Sequence, residues 1–329
     1  MKVKRPISSL DDLNLFQSQK IYLKNSMDRY GFSYLLADYL EMSKPKRSFC
    51  DWVHGWVWWE DLMEPQDFLG ACDIPADVSI VVGTNNQRKL ILDRKYKNDV
   101  YLGGLPYAYC PEFNIPKCQN VLLSILPHSA DAQHYDVLDE HYLDYLHSIK
   151  DDWESIFVSI FYLDERENLI NEIQRRGLKV IIGANPSDRY SMLRTKLMFT
   201  LADSVNSNVM GSHIAYALAN NCKVSLVNDL HSFDPSITSK GNPHLHQNDV
   251  DRFLYVNSFE YLQEKFKYLF VDPSQGVRNE ELGKEYIGFE NLLEFKELKK
   301  AIGWNFLQQL NGLSMGFYRR IKRKLNVSS

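Results

Sequence analysis

Five residues in one short stretch have the types and spacing to hold an anion. The stretch is DSVNSNVMGSHIAYALANNCKV, positions 203–224. It runs from a polar segment into an apolar helix, IAYALANN, and then into a strand, KVSLVN. A helix start leaves backbone N–H groups without intrahelical acceptors and carries a partial positive charge. Phosphate is the common guest there. Gly211 lets the backbone approach a ligand closely, and Ser212 and His213 add side-chain donors. Ser207 and Asn208, at the end of the preceding strand, reach the same point. The same residues also suit a simpler arrangement, a buried helix with Ser212 as its N-cap.

Two other clusters carry groups for proton transfer. CDWVHGWVWWED (50–61) sets His54, Glu60 and Asp61 among four tryptophans. A carboxylate or imidazole there could take a proton from an acceptor hydroxyl, and burial beside indole would raise a carboxylate's pKa. LPHSAD (126–131) supplies His128, Ser129 and Asp131. Asp131 could serve as a base or as a nucleophile. Core packing and ordinary turn chemistry remain open for both clusters. Asp249-x-Asp251 stands before a helix, where N-capping explains it without a cation. His244-x-His246 lacks the further ligands that zinc requires. The sequence gives no reason to expect a metal or a resident cofactor. No GxGxxG, GxxxxGK[ST] or GxSxG occurs, which argues against dehydrogenase, P-loop and α/β-hydrolase chemistry.

These residues need elements to position them. Four apolar runs, at 48–59, 77–86, 99–109 and 120–131, read as strands that end in Gly, His, Ser, Thr or Asn. Open parallel sheets bind ligands at such carboxyl ends. A helix over 138–152 follows. A second series then begins: strand 155–163, helix 167–177 closed by Gly177, strand 178–186, and helix 188–203 with Asp188 as N-cap. The polar segment, the Gly-Ser-His helix and the Lys-Val strand complete it. Alternating strands and helices predict an α/β fold of βαβ units. The expected division is one Rossmann-like unit over 1–150, a second over 151–300 and a helical tail over 301–329.

Composition fits that architecture. The chain has 329 residues, 44% hydrophobic and 24% charged, with a net charge of −4. Bulk charge therefore offers nothing to nucleic acid. Five scattered cysteines without a CxxC fit free thiols in a reducing compartment. The first residues, MKVKRPISSLDDLNLF, contain no apolar core of a signal peptide, and no run of about 18 apolar residues occurs. A cytoplasmic protein is expected.

The pattern Asp-x-x-x-Ser-Asn-x-x-Gly-Ser-His-Ile-x-Tyr-Ala-Leu from Asp203, followed by a Lys-Val strand, resembles a segment of bacterial GT-B-type glycosyltransferases. These enzymes build capsule, lipopolysaccharide and O-antigen, and some use CMP-activated Kdo or sialic acid. The resemblance implies two Rossmann-like domains facing a cleft, with the nucleotide sugar held mainly by the second. It assigns the donor to Ser207, Asn208, Gly211, Ser212 and His213. Many such enzymes carry His-Pro after an earlier strand of that domain; Asn185-Pro186 stands here instead, which leaves the nucleotide open. Glu60, Asp131, His54 and His128 would then be the catalytic candidates of the acceptor domain. A nucleotide-sugar epimerase and a non-catalytic carbohydrate- or nucleotide-binding protein are the alternatives. The tail, WNFLQQLNGLSMGFYRRIKRKL (304–325), is apolar first and basic afterwards. Arg319, Arg320, Lys322, Arg323 and Lys324 there suit anionic lipid at a membrane face, where a lipid-linked acceptor would be met.

Overall fold

Eight strands form among the described residues: β1 Cys50–Trp52, β2 Ser79–Val82, β3 Val100–Leu102, β4 Cys118–Ile125, β5 Ser155–Ile160, β6 Lys179–Ile182, β7 Ala202–Ser207 and β8 Lys223–Leu226. They alternate with helices α1 Asp11–Asn14, α2 Phe32–Tyr39, α3 Asn85–Asp93, α4 Glu140–Ser148, α5 Glu167–Arg175, α6 Ser191–Leu201 and α7 Ser212–Ala219. Four more helices follow: α8 Gln247–Val256, α9 Phe259–Phe266, α10 Glu280–Tyr286 and α11 Phe295–Ala301. The computed structural model describes residues 7–14, 18–23, 26–53, 55–69, 74–127, 139–233, 247–310 and 314.

All strand pairs are parallel, as the alternation of elements predicts. They make two sheets, β1-β2-β3 and β6-β5-β4-β7-β8. Contacts divide the chain into two compact units. One holds Met1–Ser18, Glu112–Asn185 and Ser191–Gly283; the other holds Gln19–Pro111, Pro186–Tyr190 and Lys284–Ser329. The sequence puts the fourth strand with the first series, whereas its hydrogen bonds put it in the second sheet. Leu122 and Leu123 of β4 lie opposite Ile156 and Phe157 of β5 on one side, and opposite Ser204 and Val205 of β7 on the other. The expected boundary at 150 therefore falls inside the larger unit, and the tail's described residues belong with the three-stranded sheet.

Numbered along the chain, the five-stranded sheet runs 3-2-1-4-5, the doubly wound order. Its core follows from strands covered on both faces, which read as continuous apolar runs. Leu122, Val158 and Ile160 of the sheet pack against Leu143 and Leu146 of α4 and Leu169 and Ile173 of α5. Gly177, at φ +76°, ends α5 in the left-handed conformation expected of it.

β7 departs from the apolar rule. The sequence gives this stretch as a short polar segment with Ser207 and Asn208 at a strand end, and Ala202–Ser207 is a strand buried at every position. α6 enters it without a connecting residue. Lys117 makes that junction possible: its Nζ donates to the carbonyls of Phe199, Thr200 and Ala202 at 3.1, 3.4 and 2.8 Å. The Phe199 and Thr200 carbonyls belong to the end of a helix, where acceptors lack intrahelical donors, and Ala202 is the first residue of the strand. Asp188, expected as the N-cap of α6, lies three residues before the helix and accepts from the Gln19 N–H at 2.7 Å instead.

In the other unit, the glycine-rich carboxyl ends of β2 and β3 are packed against backbone. Leu105 N–H donates to Ile287 O at 2.8 Å. A Cβ on Gly288 would stand 2.3 Å from Gly83 O, and one on Gly104 2.5 Å from Gly288 O. The sequence marks these strand ends as open to a ligand. The chain's own segment after α10 occupies the approach to Gly83 and Gly104.

Candidate functional site

The doubly wound order makes β4 and β7 neighbours whose following segments run to opposite faces of the sheet. That divergence opens the crevice where such sheets take ligands. Ser207 ends β7 there, opposite Ile125, which ends β4. Ser207 Oγ donates to Ile125 O at 2.7 Å and accepts from Val209 N–H at 3.2 Å. Its hydroxyl thus joins the two strand ends and shapes the turn after β7.

Asn208 is wholly buried. Its Nδ2 donates to Asp139 Oδ2 at 2.8 Å, and its carbonyl accepts from His231 N–H at 2.8 Å. Its Oδ1 has no hydrogen-bond partner among the described residues. A buried acceptor left unmade costs about 1–3 kcal/mol. Such an atom beside a crevice marks a place where a donor from outside would be welcome.

Gly211 precedes α7 with an extended backbone, φ 178°. Any residue can adopt that conformation, so glycine is needed here for space. A Cβ on Gly211 would lie 2.9 Å from Nδ1 of His213. The His213 ring thus sits over the glycine at the helix mouth. Ser212 is the first helical residue, and Gly211 takes the N-cap position expected for Ser212. Ser207, Asn208, Gly211, Ser212 and His213 thus lie within seven residues, at the end of β7 and the start of α7. Asn185 is not among them. It follows β6, three strands from β7, which is roughly 14 Å along the sheet at about 4.8 Å per strand; its N–H donates to Ser191 Oγ at 2.9 Å.

Behind the crevice stands a polar network that sequence reasoning misses. Asp139 caps α4, accepting from Tyr142 N–H at 3.0 Å. His231, its Nδ1 3.7 Å from Asp139 Oδ2, is the largest influence holding that carboxyl below its usual range. The Tyr142 N–H and the Asn208 amide act in the same direction, against partial burial. Tyr142 Oη accepts from Ser124 Oγ at 2.9 Å and donates to Asn206 Oδ1 at 2.7 Å, while Asn206 Nδ2 donates to Ser225 Oγ at 2.8 Å. Burial pushes the Tyr142 phenol far up, so it stays a neutral donor. Strands β4, β7 and β8 are thereby tied through α4. Asp139 falls inside the helix expected over 138–152, and nothing in NDLHSF singles out His231.

A cavity of about 520 Å³ opens at the carboxyl end of β8, lined by Tyr145, Leu226, Asn228, Asp229, Phe270 and Asp272 among others. Aromatic faces beside carboxylates and an amide suit a hydroxyl-rich ring, and two carboxylates disfavour an anion. Among the described residues no group of three or more His, Cys, Asp and Glu is placed to hold a metal ion.

In the other unit, Glu60 lies half-buried after β1 and accepts from Asn86 Nδ2. Around it Trp56 stacks on Tyr286 at 4.3 Å, and Trp58 meets Trp59 edge-on at 4.5 Å. His54, His128 and Asp131 lie outside the described residues, as do Arg319, Arg320, Lys322, Arg323 and Lys324.

No protein-family model matches the chain, and no curated protein matches it. Among solved structures, it is similar to a mutant of S. aureus TarM in complex with Fondaparinux, alpha-GlcNAc-glycerol and UDP. The identity is 12% and the TM-score 0.29, over 68% of this chain and 42% of that one. The match thus spans about two fifths of the solved chain's length, and a likeness this slight assigns no role to any residue here.

Proposed function

We propose that this chain is a glycosyltransferase that moves a sugar from a nucleotide-activated donor to a saccharide or lipid-linked acceptor. The observation that carries the reading is the crevice between β4 and β7, where buried Asn208, with its Oδ1 unsatisfied among the described residues, is followed three residues later by the Gly-Ser-His start of α7. Helix N–H groups and the His213 imidazole would neutralise the donor's phosphate as it leaves an oxocarbenium-like sugar. Asn208 Oδ1 would accept from a hydroxyl or amino group of the donor. The aromatic and carboxylate-lined cavity beside β8 suits the donor's ring hydroxyls. The sequence resemblance favours a CMP-activated, Kdo-like donor, with UDP and GDP sugars as alternatives, and places the reaction in bacterial capsule, lipopolysaccharide or O-antigen assembly.

On this reading Glu60, Asp131, His54 and His128 are the candidates for base or nucleophile toward the acceptor. Replacing the true one with Ala lowers kcat by about 10²–10⁴-fold and leaves nucleotide affinity unchanged. The primary test is calorimetry with CMP, UDP and GDP in EDTA, followed by product analysis with the matching sugar donors. Binding of one nucleotide without added metal, and transfer of its sugar to an acceptor, is the expected result. If none of the three binds, the reading is wrong; if one binds but its sugar is never transferred, a binding protein is left.

A further inference from the structure

A carboxylate and an imidazole meet at the ligand-binding end of the five-stranded sheet. Asp139 lies in the segment that follows β4, and His231 in the segment that follows β8. Both are fastened to Asn208, just past the end of β7. Asp139 accepts from its side chain, and the His231 N–H donates to its carbonyl. The pair therefore borders the crevice in which Asn208 Oδ1 is left without a donor.

The arrangement has a direction. Each Asp139 oxygen already holds a donor, Tyr142 N–H on Oδ1 at 3.0 Å and Asn208 Nδ2 on Oδ2 at 2.8 Å. The carboxylate is thus fixed in place independently of the imidazole, and its Oδ2 faces His231 Nδ1 at 3.7 Å. That separation is longer than a hydrogen bond, as catalytic contacts without substrate often are. The ring also packs edge-on against Phe233 at 5.1 Å, and Phe233 against Phe253 of α8 at 5.1 Å. A carboxylate facing Nδ1 keeps the proton on that nitrogen and leaves the Nε2 lone pair as the basic site. Among the described residues Asp139 is the one polar partner of the ring. The side chain is 10% exposed, so bulk water has little access to it.

We propose that His231 is the proton acceptor of the transfer and that Asp139 positions it. The acceptor hydroxyl oxygen bonds to the anomeric carbon, and the bond from that carbon to the donor phosphate breaks with its electron pair on the phosphate. The hydroxyl proton goes to His231 Nε2. Asp139 stabilises the imidazolium so formed, and the proton then leaves to water. The inference rests on the reading that a nucleotide sugar fills the crevice, and it moves the base from Glu60, Asp131, His54 and His128 to a pair bound to Asn208 itself.

Turnover, nucleotide Kd and melting temperature are measured on the full chain with the donor that the wild type uses. His231→Asn keeps an N–H where Nδ1 faces Asp139 but puts nothing in place of Nε2. It should lower kcat by about 10²–10⁴-fold while nucleotide Kd and melting temperature hold. His231→Ala should lose as much, and added imidazole should restore turnover in proportion to its concentration. Asp139→Asn should lower kcat with the acceptor KM unchanged, as expected of a residue that acts through His231. Near-wild-type kcat in His231→Asn overturns the proposal and leaves the glycosyltransferase reading standing. So does a joint loss of kcat, nucleotide affinity and melting temperature that imidazole does not repair. A wild type that binds nucleotide but transfers no sugar overturns the reading, and the proposal with it.

Discussion

Asn208 is wholly buried, yet half of its amide has nothing to do. Its Nδ2 is bound to Asp139 while Oδ1 accepts no hydrogen bond among the described residues. Asn208→Leu removes the unsatisfied acceptor but also strands the Asp139 carboxylate, so nucleotide affinity should fall about 10–100-fold as measured by calorimetry. Gly211→Val drives a side chain into the His213 ring and should weaken nucleotide binding to a similar degree while the circular dichroism spectrum is kept. Asp139 adds a pH signature. Its folded-state pKa is depressed, chiefly by His231, so its contribution to stability is present above the unfolded value near 3.8 and is lost as pH falls through the folded one. Urea midpoints should therefore show Asp139→Asn less stable than the wild type at pH 7, with the gap closing below about pH 4. A gap that stays constant from pH 7 to pH 3 would contradict this account of Asp139. These roles were only half legible in the sequence: Ser207, Asn208, Gly211, Ser212 and His213 announced themselves by type and spacing. Asp139 and His231 did not, because they meet across a fold that brings the segments after β4 and β8 to one end of a sheet.

Among the elements, β7 shows most clearly what patterning can and cannot reveal. The βαβ alternation was readable from short apolar runs between amphipathic stretches, and Gly177 marked the end of α5. β7 was readable only at its end, where Ser207 was expected to close a strand; the buried course of Asp203, Ser204 and Asn206 was not, since these polar residues show no strand pattern until their partners are known. Asp203 is held by Arg278 and lies 3.6 Å from Lys223 Nζ, and Asn206 is held by Tyr142 and Ser225. The membership of β4 was hidden for a similar reason: pairing with β5 and β7 is a long-range fact that no local period carries. The loopless passage from α6 into β7 depends on Lys117. Lys117→Met keeps the aliphatic stem but leaves carbonyls of Phe199, Thr200 and Ala202 without their donor. A loss of about 2 kcal/mol in unfolding free energy is expected, with faster amide exchange at the end of α6. Unchanged exchange there would show that water replaces the ammonium without cost.

On the scale of the whole molecule, the chain leaves the unit of the three-stranded sheet at Pro111 and re-enters it for good at Lys284. Each unit is therefore made of separated stretches. The larger one also draws on its first residues: Asp11 pairs with Lys179 at 2.8 Å, and Asn14 Nδ2 donates to Val180 O at 3.0 Å. A fragment of residues 112–283 should keep nucleotide binding but melt below the full chain, and adding back residues 1–18 at its start should recover part of the difference. A fragment of residues 151–300, cut at the boundary the sequence suggested, loses β4 from the middle of its sheet and should not fold.

The backbone packing of Gly83 and Gly104 against Gly288 also sets an order of events at the ribosome. The three-stranded sheet emerges first, but the segment after α10 that closes its carboxyl edge is translated roughly 185 residues later. At about 5–20 residues per second that is a delay on the order of 10–35 s. During this interval the glycine edge is bare to other nascent chains and to chaperones, while the five-stranded sheet, complete sooner after its own last strand, can already have formed. The part of the protein made first is thus the part finished last.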